Sequence, residues 1–321
     1  MDTIMNTITM RAFAGEADLQ PIVDLINACE AVDKLDEGTS VAEMRSELYA
    51  PRVDLERDIR LCEDAEGRVI GFGTLWIPEP SDTIDGFLWL KVHPEARGAG
   101  IESRIIGWGE ERMREVGRET GKPVQMRSGS MTPERAALLE RHGYEVARYF
   151  HRMVRPLDVP IPEPRFPEGF TLRHLESEDE AEAWVACFNQ SFIDHYNHHP
   201  MSVNDRKHWM HEEHYAPALD LVATAPDGTF AAFCWCSMNP DDNARTGRNE
   251  GWIGILGTRR GFRRIGLGRA MLLSGLHRLK ANGVDTAKLG VDADSLTGAT
   301  RLYESVGFRV FRTSVSYKKD L

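Results

Sequence analysis

Between Thr258 and Arg269 the chain reads Thr-Arg-Arg-Gly-Phe-Arg-Arg-Ile-Gly-Leu-Gly-Arg, with five arginines and no acid. Glycines in such a turn let backbone N–H groups face outward. At a helix N-terminus those groups carry partial positive charge, so the stretch suits phosphate oxygens. Its arginines add charge-assisted hydrogen bonds; the competing reading is a solvated basic turn whose glycines only shape the loop. Two familiar phosphate motifs do not fit. No G-x-x-x-x-G-K-[ST] occurs, and a G-x-G-x-x-G beginning at Gly266 would need glycine where Met271 stands.

Two other groupings carry reactive side chains. His195, His198, His199, His208, His211 and His214 lie close together. His211-Glu-Glu-His214 is not H-E-x-x-H, however, and no cysteine accompanies it at zinc spacing, so no metal is expected and some of these histidines should line a substrate pocket. Cys234 and Cys236 share one face of a strand, which predicts two buried thiols rather than a nucleophile or redox pair.

The arginine-glycine loop needs a strand before it and a helix after it. Trp252 to Leu256 reads as that strand. Leu267 to Ala281 reads as the helix, with Leu272, Leu276 and Leu279 on one face and Asn282-Gly283 as its stop. Upstream, Leu219 to Thr224 and Thr229 to Ser237 are strands joined across Pro226-Asp227-Gly228. Downstream come a strand from Thr286 to Val291, a short helix from Thr297 to Ser305 and a strand from Phe308 to Tyr317. Helices are also expected from Asp18 to Glu30 and Asp179 to Asn189. Adjacent antiparallel strands among helices give an α/β fold of the mixed α+β kind, a largely antiparallel sheet flanked by helices.

The two halves of the chain resemble each other. Ile8-Thr-Met-Arg11 matches Phe170-Thr-Leu-Arg173, Glu66-Gly67 matches Asp227-Gly228, Arg97-Gly-Ala-Gly100 matches Arg263-Arg-Ile-Gly266, and Gly143-Tyr144 matches Gly307-Phe308, all at offsets of 161 to 166 residues. Five prolines between Arg155 and Gly169 mark an extended connection. The expected division is a first domain over 1–157, a linker over 158–168 and a second domain over 169–321.

The chain has 321 residues, 41% of them hydrophobic and 28% charged, with a formal net charge of −11. That composition fits a folded, soluble protein and makes polyanions such as nucleic acid poor partners. No apolar run reaches the roughly 20 residues of a membrane span. The opening Met1 to Asn6 lacks a basic segment followed by an apolar one. With five cysteines and no C-x-x-C spacing, the expected compartment is the cytoplasm.

Arg263, Gly266 and Gly268 form Arg-x-x-Gly-x-Gly, which resembles the pyrophosphate-binding signature of the GNAT acetyltransferase superfamily. The stretch from Val291 through Asp292, Asp294, Ser295, Ala299, Leu302 and Tyr303 to Gly307-Phe308 resembles that superfamily's second cofactor motif. The two-part organisation, with Phe192-Ile-Asp194-His195 before the strand pair, is similar to tandem GNAT proteins of the mycothiol synthase type, and the resemblance spans essentially the whole chain. It implies two tandem GNAT-like domains, acetyl-CoA as donor and no metal. The pantetheine arm would pair with backbone near Leu256, Gly257 and Thr258, and the pyrophosphate would lie over Arg263, Arg264, Ile265, Gly266, Leu267, Gly268 and Arg269. Ser295 departs from the asparagine often found against the pantetheine arm.

Acyl transfer to an amine needs a neutral nucleophile, a polarised carbonyl and a protonated leaving sulfur. Tyr303 is the expected acid for the departing thiolate. Glu250, entering the strand, is the expected base through a water, with Asp292 and Asp294 as alternatives; Asp292 also suits a bond to local backbone in a turn. The expected activity is direct transfer to a primary amine of a small molecule. The rival readings are a non-catalytic acyl-CoA sensor or scaffold and a peptide or protein N-acetyltransferase. The first half is expected to be degenerate. Its window from Val92 to Ser103 has net charge −1 against +5 for Thr258 to Arg269, Glu102 stands at the place of Gly268, and Leu139 stands at the place of Tyr303. Two such halves would let the chain work as a monomer through an internal pseudo-dimer.

Overall fold

A computed structural model describes residues 8–79, 82–295 and 298–321. Met1 to Asn6 lie outside the described residues, as does Thr297, the expected start of the last short helix. In chain order the first part contains β1 (Thr9–Ala12), α1 (Leu19–Asp33), α2 (Val41–Leu48), β2 (Ile59–Glu63), β3 (Val69–Trp76), β4 (Ile84–Val92), α3 (Ile101–Thr120), β5 (Val124–Ser130), α4 (Pro133–Arg141) and β6 (Glu145–Pro156). The second contains β7 (Thr171–His174), α5 (Ala181–Phe192), α6 (Val203–Met210), β8 (Asp220–Thr224), β9 (Phe230–Met238), α7 (Pro240–Thr246), β10 (Glu250–Thr258), α8 (Leu267–Ala281), β11 (Thr286–Asp292), α9 (Ala299–Glu304) and β12 (Arg309–Asp320).

These elements form two compact units, the first ending at Arg148 and regaining Ser314–Leu321, the second running from Tyr149 to Thr313. In the first unit β1 to β4 pair antiparallel in sequence order and β5 joins β4 in parallel. In the second, β7 to β10 pair antiparallel and β11 joins β10 in parallel. Each unit takes its last strand from the close of the other half of the sequence. Residues 150–156 of β6 pair with β11, and residues 315–320 of β12 pair with β5. Residues 158–168 lie within the second unit. Arg155 helps hold them there, donating from Nη2 to the Pro160 carbonyl at 2.9 Å and from Nε to the Val306 carbonyl at 2.6 Å.

Both faces of each sheet are covered. In the second unit α8 presents Met271, Leu272, Leu276 and Leu279 to Leu221, Cys234, Cys236 and Leu289. On the opposite face Trp184 and Cys187 of α5 pack with Val222, Phe230 and Phe233. The two thiols of β9 stand 3.7 Å apart, both buried, as their spacing predicts. α8 occupies the expected span and ends at Asn282, with Gly283 following at φ +84°. In the first unit α3 lies on one face, with Ile101, Ile105 and Met113 buried, and α1 and α2 on the other.

Candidate active site

Parallel strands bring their C-terminal ends to the same edge of a sheet, and in the second unit those ends separate. β10 and β11 are paired from Glu250↔Thr286 to Ile253↔Leu289. Beyond that pair β10 continues against β9, to Thr258↔Ala232, while β11 continues against β6, to Asp292↔Phe150. The register of β10 against β9 shifts between Ile253 and Ile255, leaving Gly254 as an exposed bulge. A bulge bends its strand and turns backbone groups away from the ladder. Leu256, Gly257 and Thr258 thus border a gap on which, among the described residues, one backbone edge has no strand partner, the arrangement an extended ligand needs to add itself as a strand.

The loop beyond Thr258 closes one end of this gap. Gly266 caps α8 with φ +89°, which is costly for an L side chain, and supplies no side-chain acceptor. The first intrahelical bond is from the Ala270 N–H to the Gly266 carbonyl at 3.1 Å. The N–H groups of Leu267, Gly268 and Arg269 stand at the positive end of the helix dipole, where an anion is favoured. A Cβ at Gly268 would come within 3.1 Å of Thr258 Oγ1, so a larger residue would crowd the junction of strand and helix. Arg264 holds φ +67° and is exposed, as is Ile265.

The arginines divide into two sets. Arg263 faces inward, donating from Nη1 to Asp194 Oδ2 at 2.7 Å, from Nη2 to the Ser191 carbonyl at 2.8 Å and from Nε to the Thr258 carbonyl at 3.2 Å. Arg260 pairs with the other oxygen of Asp194, and Arg269 donates to Ser305 Oγ at 2.7 Å. The motif arginine thus also braces the loop against the end of α5. Among the described residues, Arg259 and Arg264 carry guanidinium groups without a side-chain partner and are the ones left to meet an anion. The Arg263 and Arg260 guanidinium groups hold the Asp194 carboxyl below the ordinary aspartate range. The sequence signals the need for Asp194, since five like charges require counter-charge, but nothing local says which acid provides it.

Tyr303 lies on α9, buried, with its ring 6.1 Å from that of Phe308. Burial raises its phenol well above the ordinary value, reinforced by the nearby Cys234 thiol of β9. Cys234 is the cross-strand partner of Leu256, so Tyr303 sits at the same end of β10 as the loop, neutral and protonated. Ser295 occupies the turn after β11, its N–H bonded to the Asp292 carbonyl at 3.2 Å. Asp292 Oδ1 accepts from the Asp294 N–H at 3.0 Å, the local turn bond expected of it.

Glu250 is not brought to this end. It begins β10, six residues before Leu256, a separation of about 20 Å at strand rise. Its carboxylate accepts from buried Lys288 at 2.6 Å, with Arg248 at 3.4 Å. Among the histidines, His195 packs its ring 4.4 Å from that of Phe192. Burial lowers its pKa despite the counter-pull of Asp292, so the imidazole is neutral at neutral pH. His211 and His214 face Glu178 and Asp241, 3.0 and 3.6 Å away. Among the described residues, no group of three His, Cys, Asp or Glu side chains is placed to hold a metal ion, and no helix is long and apolar enough to cross a membrane.

The geometry agrees with similarities to known proteins. Residues 170–308 match the model of the acetyltransferase (GNAT) family. The mycothiol acetyltransferase of Thermobispora bispora is 34% identical over 75% of this chain and 78% of its own. That of Salinispora tropica is 30% identical over 97% and 96%. The crystal structure of a GCN5-related N-acetyltransferase from Sphaerobacter thermophilus superposes with a TM-score of 0.74 at 26% identity, covering 99% of this chain and 97% of that one.

Proposed function

The chain belongs to the GNAT acetyltransferase family, and from that premise we propose that its second unit transfers the acetyl group of acetyl-CoA to a primary amine of a small molecule, directly, in a ternary complex. The observation that carries this is the uncapped start of α8 standing beside the parted ends of β10 and β11, with a protonated tyrosine at the same end. Acetyl-CoA supplies the activated acetyl thioester; the chain's residues hold and polarise it. The backbone of Leu256, Gly257 and Thr258 would receive the pantetheine arm. The N–H groups of Leu267, Gly268 and Arg269, with Arg264, would receive the diphosphate, and Ser295 would border the arm.

Tyr303 is assigned as the acid. A phenol kept neutral by burial has its proton available for the leaving thiolate. Glu250 is assigned to the acceptor end, where it would take the amine's proton through bound water; it lies four residues before the bulge, about 13 Å along the strand. In this reading the sequence halves 1–157 and 169–321, joined by 158–168, descend from one duplicated GNAT domain, and the chain works in the cytoplasm as a monomer. Turnover of acetyl-CoA against a panel of small amines tests the activity, and the relatives' name makes the amine precursor of mycothiol the first acceptor to try. Release of CoA with small amines supports the reading. Binding without release would make the protein an acyl-CoA sensor, and release with basic peptides alone would make it a peptide acetyltransferase.

A further inference from the structure

The first unit repeats the parted strands but fills them differently. β4 and β5 pair from Ile84↔Val124 to Leu88↔Ser128 and then separate, β4 continuing against β3 and β5 against β12. At the point of separation Ser128 Oγ donates to the Leu88 carbonyl at 2.9 Å and accepts from Arg135 Nη2 at 3.0 Å. Arg135 belongs to α4, and aligning Gly143 with Gly307 places Ala299 at its position in the second unit. A guanidinium therefore stands at the strand fork of the first unit, at a sequence position that is alanine in the second.

Among the described residues, no carboxylate lies within ion-pair distance of Arg135. The other cations of the region already have partners. Lys91 is paired with Glu37, and Arg97 with both oxygens of Asp33 at 2.7 and 2.8 Å. Burial pushes the guanidinium down to about 10, outweighing Tyr144 and, from a distance, Glu102 and Glu37. Arg135 nevertheless keeps part of its surface accessible. A cation enclosed by protein, partly accessible and with no carboxylate partner among the described residues, lacks the counter-charge that such groups ordinarily acquire.

We propose that the fork between β4 and β5 is a binding site for a small monocarboxylate, held by the planar guanidinium of Arg135 with Ser128 beside it. A single uncompensated positive charge matches a monoanion, and the arginine fork matches the two oxygens of a carboxylate. A phosphate dianion would bring a second charge toward Glu102 in the first turn of α3, which repels it.

The test uses the full chain with its second unit saturated with CoA. Acetate, propionate, pyruvate and benzoate are titrated by saturation-transfer NMR and thermal unfolding, with inorganic phosphate as the dianionic control. The expected result is saturation transfer to at least one carboxylate and a rise of about 3 °C in the unfolding temperature at saturating ligand. Phosphate should produce neither effect, Arg135→Gln should abolish both, and Arg135→Lys, which keeps the charge without the fork, should bind at least about tenfold more weakly. Absence of transfer for every carboxylate at about 50 mM, or equal binding by either variant, would overturn the proposal. If Arg135→Gln fails to fold, Arg135→Lys decides alone.

Discussion

At the residue scale the loop's chemistry depends on which arginines are occupied. Asp194 takes both Arg260 and Arg263, so it shapes the site without meeting the ligand, whereas Arg264 is exposed and has no side-chain partner among the described residues. The two residues should therefore fail differently. Arg264→Ala should weaken acetyl-CoA binding and flatten its dependence on ionic strength, because an exposed charge acts through a screened field. Asp194→Asn should weaken binding about tenfold by loosening the loop while leaving the salt dependence as it was. Titration calorimetry at several salt concentrations separates them, and identical slopes in the two variants would refute this division. Tyr303→Phe keeps the ring and its contact with Phe308, so acetyl-CoA affinity should persist while turnover falls roughly ten- to a thousandfold. Single-turnover kinetics equal to the parent would remove Tyr303 from the chemistry, and lost binding would make it a packing residue.

At the scale of elements, the parts nearest the chemistry were the most legible. α8 has its expected span because Leu272, Leu276 and Leu279 repeat on one face and Gly283 ends the run. β9 and β10 were placed by their apolar runs, β9 one residue later at each end than expected and β10 two residues longer at each end. The arginine-glycine loop fell where its composition put it. Three features were not legible. α6 and α7 are short and polar, and they are fixed by the caps Ser202 and Asn239 rather than by a hydrophobic period. The bulge at Gly254 depends on Trp235 across the ladder, whose ring lies 3.0 Å from where a Cβ would stand. The partners of β6 and β12 are set by tertiary pairing, which one strand's alternation cannot specify. The same limit applies to the brace at Arg263, whose partner Asp194 lies 69 residues away.

At the scale of the molecule, two units of like topology carry unlike forks. In the second, the strands part beside bare backbone and a protonated tyrosine. In the first, Glu102 stands in the opening turn of α3, Arg97 is held by Asp33, and Arg135 fills the fork. A carboxylate at the helix start repels a diphosphate, and a guanidinium in the fork competes with an added strand. The central claim is therefore that one unit binds and uses acetyl-CoA. Titration calorimetry of the full chain measures it most directly: one tight acetyl-CoA site per chain, abolished by Gly268→Glu and retained in Gly100→Ala, is the result expected. Two equivalent tight sites, or a single site that survives Gly268→Glu, would contradict it.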